Sequence, residues 1–291
     1  MKARIWSDDK KTFLSIITTG IDKNKNRIFL LNLYNGKKIK QYKFPEDKEK
    51  LKKDVKDLNV ITYNGNSFDI PFLKANDISI EKNFDLYSFL KSYKLLGLQS
   101  YKFKEVYRHF TSKETFELEA KETIKLIREY EIKSDENTLK IILAQGECHI
   151  KNLLKLFKEV ESQMNRELIG LEIYNKKIKL LPYSFKEEGD YFDILLLNMG
   201  EFINMNLEFN TFSLFSKDST YILRFKTIKG YLDEKTIGKC VITDFNLKDE
   251  NFPNLNKNLY PIETEKKEIE NIKNLARTAL KSIEKKSEKL I

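Results

Sequence analysis

The chain is poor in the residues that staple small folds or grip soft metals. It holds two cysteines, Cys148 and Cys240, and two histidines, His109 and His149, among 291 residues. A disulfide framework is excluded, and a zinc site, which draws about four Cys or His ligands from close spacings, is not expected. No run approaches the roughly 18 uncharged apolar residues that a membrane-crossing helix needs. Residues 1–11 lack the apolar centre of a signal peptide, so a cytoplasmic location without membrane attachment is the expectation. Glycine and proline are too scattered to form a linker or a low-complexity tract.

What is present belongs to a folding chain. Hydrophobic residues make up 41% and charged residues 33%, and apolar positions recur in short periodic runs, which argues against extended disorder. The length suffices for two domains, and the texture divides the chain into an α/β part over 1–162 and a β-rich part over 163–291. The net charge of +9 suits a nucleic-acid partner, because each phosphate neutralised by a cation releases counterions. Lysines spread over solvated faces account for it equally well, since few arginines are available to grip phosphate with a planar fork.

Residues 12–19 (TFLSIITT), β-branched and apolar and closed by Gly20, read as a buried central strand. Residues 27–34 and 37–44 alternate around Asn35-Gly36, a pair that favours a tight hairpin turn. Pro45 opens a charged helix to about residue 57, and residues 58–63 form a strand ending at Asn64-Gly65-Asn66, after which Ser67 can cap a helix. A strand over 78–86 precedes helices near 86–93, 100–110, 113–130 and 135–160. Three antiparallel strands followed by alternating helices and strands is the order of a ribonuclease-H-like α/β fold, a mixed sheet flanked by helices. Beyond about Gly170, seven alternating segments predict an antiparallel sheet or small barrel, and 263–291 is an amphipathic helix expected to dock on its own chain. The aromatic and basic run 221–226 reads either as a half-buried strand or as a stacking platform for single-stranded nucleic acid.

The run Ile61-Thr62-Tyr63-Asn64-Gly65-Asn66-Ser67-Phe68-Asp69-Ile70-Pro71-Phe72-Leu73 resembles the second motif, TYNGxxFDxPxL, of ribonuclease-H-like domains of the bacterial YprB type, relatives of 3′-to-5′ exonucleases. The resemblance continues through Phe84-Asp85-Leu86 and the stretch 98–106, and spans about residues 12–160. It implies a site in which acidic side chains hold two divalent metals about 4 Å apart, to activate water and stabilise the leaving oxygen of a phosphodiester. Hard cations require several anionic oxygens converging on one point. Matched to the family pattern LDIETTG, residues 14–20 put Ser15 and Ile17 where the two first-strand carboxylates belong. Asp69 stands at its family position, and His149, or Asn152 after a shift of three residues, replaces the last aspartate. Asp69 is thus the single retained carboxylate and at most a weak metal ligand, with Asp85 and Glu147 as displaced helpers. In the same implied cleft, Tyr63, Asn64, Gly65, Phe68 and Lys102 would touch nucleic acid.

Each residue has a plainer role to set beside this one. Asp69 suits the first turn of a helix through the helix dipole, Asn64-Gly65 suits a strand-ending turn, and His149 suits an ordinary helix position. Three functions follow. The first is a non-catalytic or weakened nuclease relative that binds a single-stranded DNA or RNA end or serves as a scaffold, with no cofactor required. The second is a nuclease with an atypical site that uses Mg²⁺ or Mn²⁺, the latter being more tolerant of mixed nitrogen and oxygen ligands. The third is a protein-interaction module, through the C-terminal region, with no nucleic-acid role.

Overall fold

The computed structural model describes residues 11–287 except Asp57 and Tyr174. The described chain divides into two compact units, one of residues 11–91 and 100–162, the other of residues 92–99 and 163–287.

The first unit is built on a five-stranded sheet. Its strands are β1 (Thr12–Thr18), β2 (Ile28–Tyr34), β3 (Ile39–Lys43), β4 (Asn59–Thr62) and β5 (Lys82–Asp85), in the spatial order β3-β2-β1-β4-β5. The first three are antiparallel neighbours, whereas β4 lies parallel to β1 and β5 parallel to β4. The helices are α1 (Lys48–Val55), α2 (Asp69–Ala75), α3 (Leu86–Ser92), α4 (Phe103–Thr111), α5 (Ala120–Lys133) and α6 (Glu136–Glu167). Alternation along β1 sends Leu14 and Ile16 to one face, where they meet Leu51 and Val55 of α1 and Phe72 and Leu73 of α2. Ile17 goes to the other face, beside Ile127 of α5 and Ile142 of α6. Covered on both sides, β1 is buried at every position but Ile17, and its polar residues Thr12, Ser15 and Thr18 are short.

Three local expectations are corrected. The β2–β3 hairpin turns at Gly36-Lys37 and not at Asn35-Gly36: beyond the Tyr34–Ile39 pair the Asn35 N–H donates to Lys38 O at 3.3 Å, and the Asn35 side chain accepts N–H bonds from Lys37 and Lys38 at 3.2 and 3.1 Å. Only Gly36 takes a positive φ there, of 85°. Ser67 does not cap α2, whose N-cap is Phe68 without a side-chain bond. Residues 113–119 are not helical, and α5 starts only at Ala120, where Glu119 and Glu122 form a reciprocal capping box. Ser112 and Gly97, both at positive φ, end the preceding helical turns.

The second unit is an antiparallel sheet of β6 (Ile169–Ile173), β7 (Lys176–Glu188), β8 (Tyr191–Asn198), β9 (Asn206–Glu208), β10 (Phe212–Lys217), β11 (Thr220–Tyr231), β12 (Ile237–Ile242) and β13 (Leu259–Glu263). Its main path runs β13-β12-β11-β8-β7-β6, with β10 and β9 branching from β11. Strand β13 is an addition to the seven segments read from the sequence. Helix α7 (Ile269–Ser287) buries Ile272, Leu275, Ala276, Ala279, Leu280 and Ile283, so the amphipathic stripe docks on its own unit, against β6 and β13. The 221–226 run is a packed strand: Tyr221, Ile222, Leu223 and Phe225 are buried, and Arg224 grips the fully buried Asp193 through Nε and Nη2 at 2.7 and 2.8 Å. Among the described residues no helix is long and apolar enough to cross a membrane.

Candidate functional site

The β1–β4 ladder runs only from Thr12 to Phe13, and beyond it the Ile16 N–H donates to Oδ1 of Asp69 at 2.9 Å. This bond ties the first residue of α2 to the central strand. Asp69 is 6% exposed, and burial pushes its pKa up to about 7, with the Ile16 N–H and the nearby His149 holding it from rising further.

A cavity of about 210 Å³ opens at this end of β1, lined by Ser15, Ile16, Ile17 and Thr18, by Ile21, by Phe68 beside Asp69, by Glu117, Leu118, Ala120, Thr123 and Ile124, and by Gln145, Gly146 and His149 of α6. The positions singled out in the sequence therefore converge: Ser15, Ile17 and His149 share one cavity, and Asp69 is anchored to the residue between the first two. The choice between His149 and Asn152 also takes a form. Both face Glu117, with His149 Nδ1 at 2.7 Å from Oε2 and Asn152 Nδ2 donating to Oε1 at 2.7 Å, but only His149 lines the cavity.

Glu117 was not foreseen from the sequence. It sits in the 113–119 segment, whose polar and apolar residues fit a helical period well enough to hide that the segment is extended. Burial pushes its pKa up, but the hydrogen bond from His149 and the His149 charge outweigh this and leave it below the ordinary value. Burial in turn pulls His149 down, and the bond to Glu117 more than reverses it. Each group thus favours the charged form of the other.

Asn32 was likewise missed. It faces Ser15 across the β1–β2 pair and is fully buried. Gln41 Nε2 donates to Leu143 O at 2.8 Å and to Asn32 Oδ1 at 2.9 Å, which fixes both amide orientations because a carbonyl can only accept. Asn32 Nδ2 is then left as a buried donor with no partner, directly under Gly146 of α6.

The remaining candidates have structural duties. Asp85 accepts N–H bonds from Asn64 at 2.7 Å and Tyr87 at 3.2 Å and a hydroxyl bond from Ser88 at 3.0 Å, so it pins the loop after β4 and starts α3. Asn64 takes a φ of 62°, and Gly65 rests against Thr62, whose Oγ1 would lie 2.0 Å from any Cβ. Tyr63 donates to Tyr101 O at 2.6 Å and packs edge-on to Phe103. Lys102 is exposed and has no ion pair among the described residues. Glu147 pairs with Lys151 on an outer face of α6 and does not reach the cavity, so it is no helper to Asp69. His109 is exposed beside Phe110.

The ligand set for paired divalent metals does not fit. Ser15 offers one hydroxyl, Ile17 puts hydrocarbon in the cavity, Asp69 has one oxygen on a backbone N–H and is pushed by burial toward its neutral form, and both Glu117 oxygens are taken. Among the described residues no three His, Cys, Asp or Glu side chains come together as a metal-binding group.

A mixed sheet with three antiparallel strands followed by two parallel ones, covered by helices on both faces, gives the first unit a ribonuclease-H-like α/β fold. A family model described as the RNase H superfamily matches residues 12–161, and the chain belongs to that superfamily. No curated protein is significantly similar in sequence. Among solved structures, the apo form of a nuclease is similar at 12% identity over 57% of this chain and 77% of its own, with a TM-score of 0.40. The family B DNA polymerase from the hyperthermophilic archaeon Pyrobaculum calidifontis is similar at 11% identity over 53% of this chain and 24% of its own, with a TM-score of 0.42.

Proposed function

We propose that the chain is a YprB-type member of the superfamily that binds a single-stranded nucleic-acid end without cutting it, or cuts it only feebly, in the cytoplasm. One observation carries this reading: Ser15, Ile17 and His149 line one largely apolar cavity, Asp69 is tied to Ile16 between the first two without lining it, and no cluster of anionic oxygens forms there among the described residues. In-line attack on a phosphodiester needs a positioned water and a clamp on the leaving oxygen. The lining of this cavity holds a single carboxylate, Glu117, with which to fix metals that would serve those ends. The exposed surface beside it offers Lys102 for phosphate contact, and the net charge of +9 supplies attraction at long range.

The test is a gel-shift assay with single-stranded and duplex DNA and RNA at two salt concentrations. A shift at low salt that weakens steeply at high salt is expected. No shift with any of them at low salt sinks the reading.

Glu117 gives some standing to a second reading, a Mn²⁺-dependent nuclease, since it puts a carboxylate in the cavity against His149. End-labelled oligonucleotides incubated with Mg²⁺ or Mn²⁺ are expected to stay intact. Cleavage by the wild type that disappears in Asp69→Asn would establish the nuclease instead.

A further inference from the structure

We propose that the cavity at the end of β1 is a pocket for one uncharged heteroaromatic base, held without metal. The proposal rests on the nucleic-acid reading only for the kind of ligand, since the size, polarity and charge of the cavity are observed directly.

Size limits what enters. An apolar cavity of about 150 Å³ admits benzene, and pockets for drug-sized ligands start at about 300 Å³. At about 210 Å³ this one takes a one- or two-ring heterocycle and leaves the sugar and phosphate outside. Ile21, which lines the cavity and is 78% exposed, marks the mouth through which the ring would pass.

Polarity suits the edge of a base. The walls are branched aliphatic, and three polar groups reach the cavity without a hydrogen-bond partner among the described residues: the Ser15 hydroxyl, the Gln145 amide and Nε2 of His149. The hydroxyl and the amide each donate and accept. His149 Nδ1 donates to the Glu117 carboxylate, so Nε2 donates when the ring is charged and accepts when it is neutral. A few convergent polar groups in an otherwise apolar cavity are the usual make-up of a small-ligand site.

Charge argues against a phosphate. No lysine or arginine lines the cavity, and the one ring there that can carry positive charge, His149, is already matched by the Glu117 carboxylate at 2.7 Å. A neutral ring loses nothing to that carboxylate and gains from leaving water.

The experiment is saturation-transfer NMR on the full chain with adenosine, guanosine, cytidine and uridine, each against its 5′-monophosphate. At least one nucleoside is expected to bind in the micromolar to low-millimolar range, with its monophosphate no tighter. Ile17→Trp, which fills the cavity, is expected to weaken that binding by about tenfold or more, a change of about 1.4 kcal/mol. Gln145→Ala, on a half-exposed helix position that tolerates truncation, is expected to weaken it several-fold while leaving thermal unfolding unchanged. The proposal is overturned if no nucleoside binds at millimolar concentration, or if both variants bind like the wild type. Should oligonucleotides shift equally with wild type and Ile17→Trp while nucleosides fail to bind, the pocket falls and the binding module stands. Should nucleosides bind while no oligonucleotide shifts, the module falls and the pocket remains, as a site for a free nucleoside.

Discussion

Asp69 shares a proton with solvent near neutral pH because its carboxyl group has almost no water around it. A carboxyl that holds its proton more tightly folded than unfolded contributes stability that is complete below the ordinary carboxylate range and is lost as pH rises through about 7. His149, raised above its ordinary value, adds a loss in the same direction as pH rises from the ordinary imidazole value through the raised one. Glu117, lowered, contributes stability that fades only on acidification below the ordinary carboxylate range. Urea unfolding should therefore show stability falling between pH 4 and 7, with a slope from Asp69 of at most about 1.4 kcal/mol per pH unit. Asp69→Asn should flatten that slope, and an unchanged pH profile in the variant would show that Asp69 is not the group responsible. A second residue-level prediction concerns Ser15 and Ile17. If they stand at ligand positions, Ser15→Asp with Ile17→Glu should create Mn²⁺ binding that calorimetry detects in the double variant and not in the wild type. Asn32 Nδ2, an unpaired donor across the strand from Ser15, is placed to receive the new carboxylate. Heat of binding from neither protein would mean that the two positions do not face a metal pocket.

At the scale of elements, the packing of α6 on the sheet depends on one small residue. A Cβ on Gly146 would lie 2.5 Å from Asn32 Oδ1, and Asn32 cannot retreat because Gln41 holds it. Gly146→Ala should cost about 1–3 kcal/mol by overpacking, measured by chemical denaturation, and should distort the cavity with it. A near-neutral result would mean that helix and sheet separate more readily than their contact suggests. What was legible in the sequence follows the same division between regular and irregular structure. The five strands of the first sheet could be read in chain order because β1, β2 and β4 are rich in β-branched and apolar residues and are closed by turn residues, and the TYNG run could be read because a positive φ at Asn64 and a missing Cβ at Gly65 leave few residue choices. Asp69, Ser15, Ile17 and His149 could be aligned as a set. Glu117 could not, since nothing in its neighbourhood marks an extended segment: Thr115, Phe116, Glu117 and Leu118 would sit as comfortably on a helix. Asn32 was hidden because an asparagine in an apolar strand gives no sign of which neighbour will meet it. The hairpin loop was misread for a related reason, as Asn35 serves by its side-chain carbonyl instead of by a positive φ.

At the scale of the whole chain, the two compact units are not consecutive. Residues 92–99 belong with the second unit, where Tyr93, Leu95 and Leu96 are buried and the Tyr93 hydroxyl donates to Glu167 at 2.8 Å. A polypeptide ended at Ser162 would keep these residues and lose the strands that cover them. It should be less soluble than the full chain and should bind a hydrophobic dye such as ANS, and a fragment 1–162 that stays monomeric without dye binding would contradict this. The same arrangement sets a timetable during translation. The ribosome delivers Tyr93, Leu95 and Leu96 well before Ile169 opens the sheet that shelters them, and at roughly 5–20 residues per second the interval lasts several seconds. For that time a nascent chain carries an uncovered apolar stretch that a chaperone could hold, so synthesis speed over residues 100–170 is a quantity on which the yield of native protein should depend.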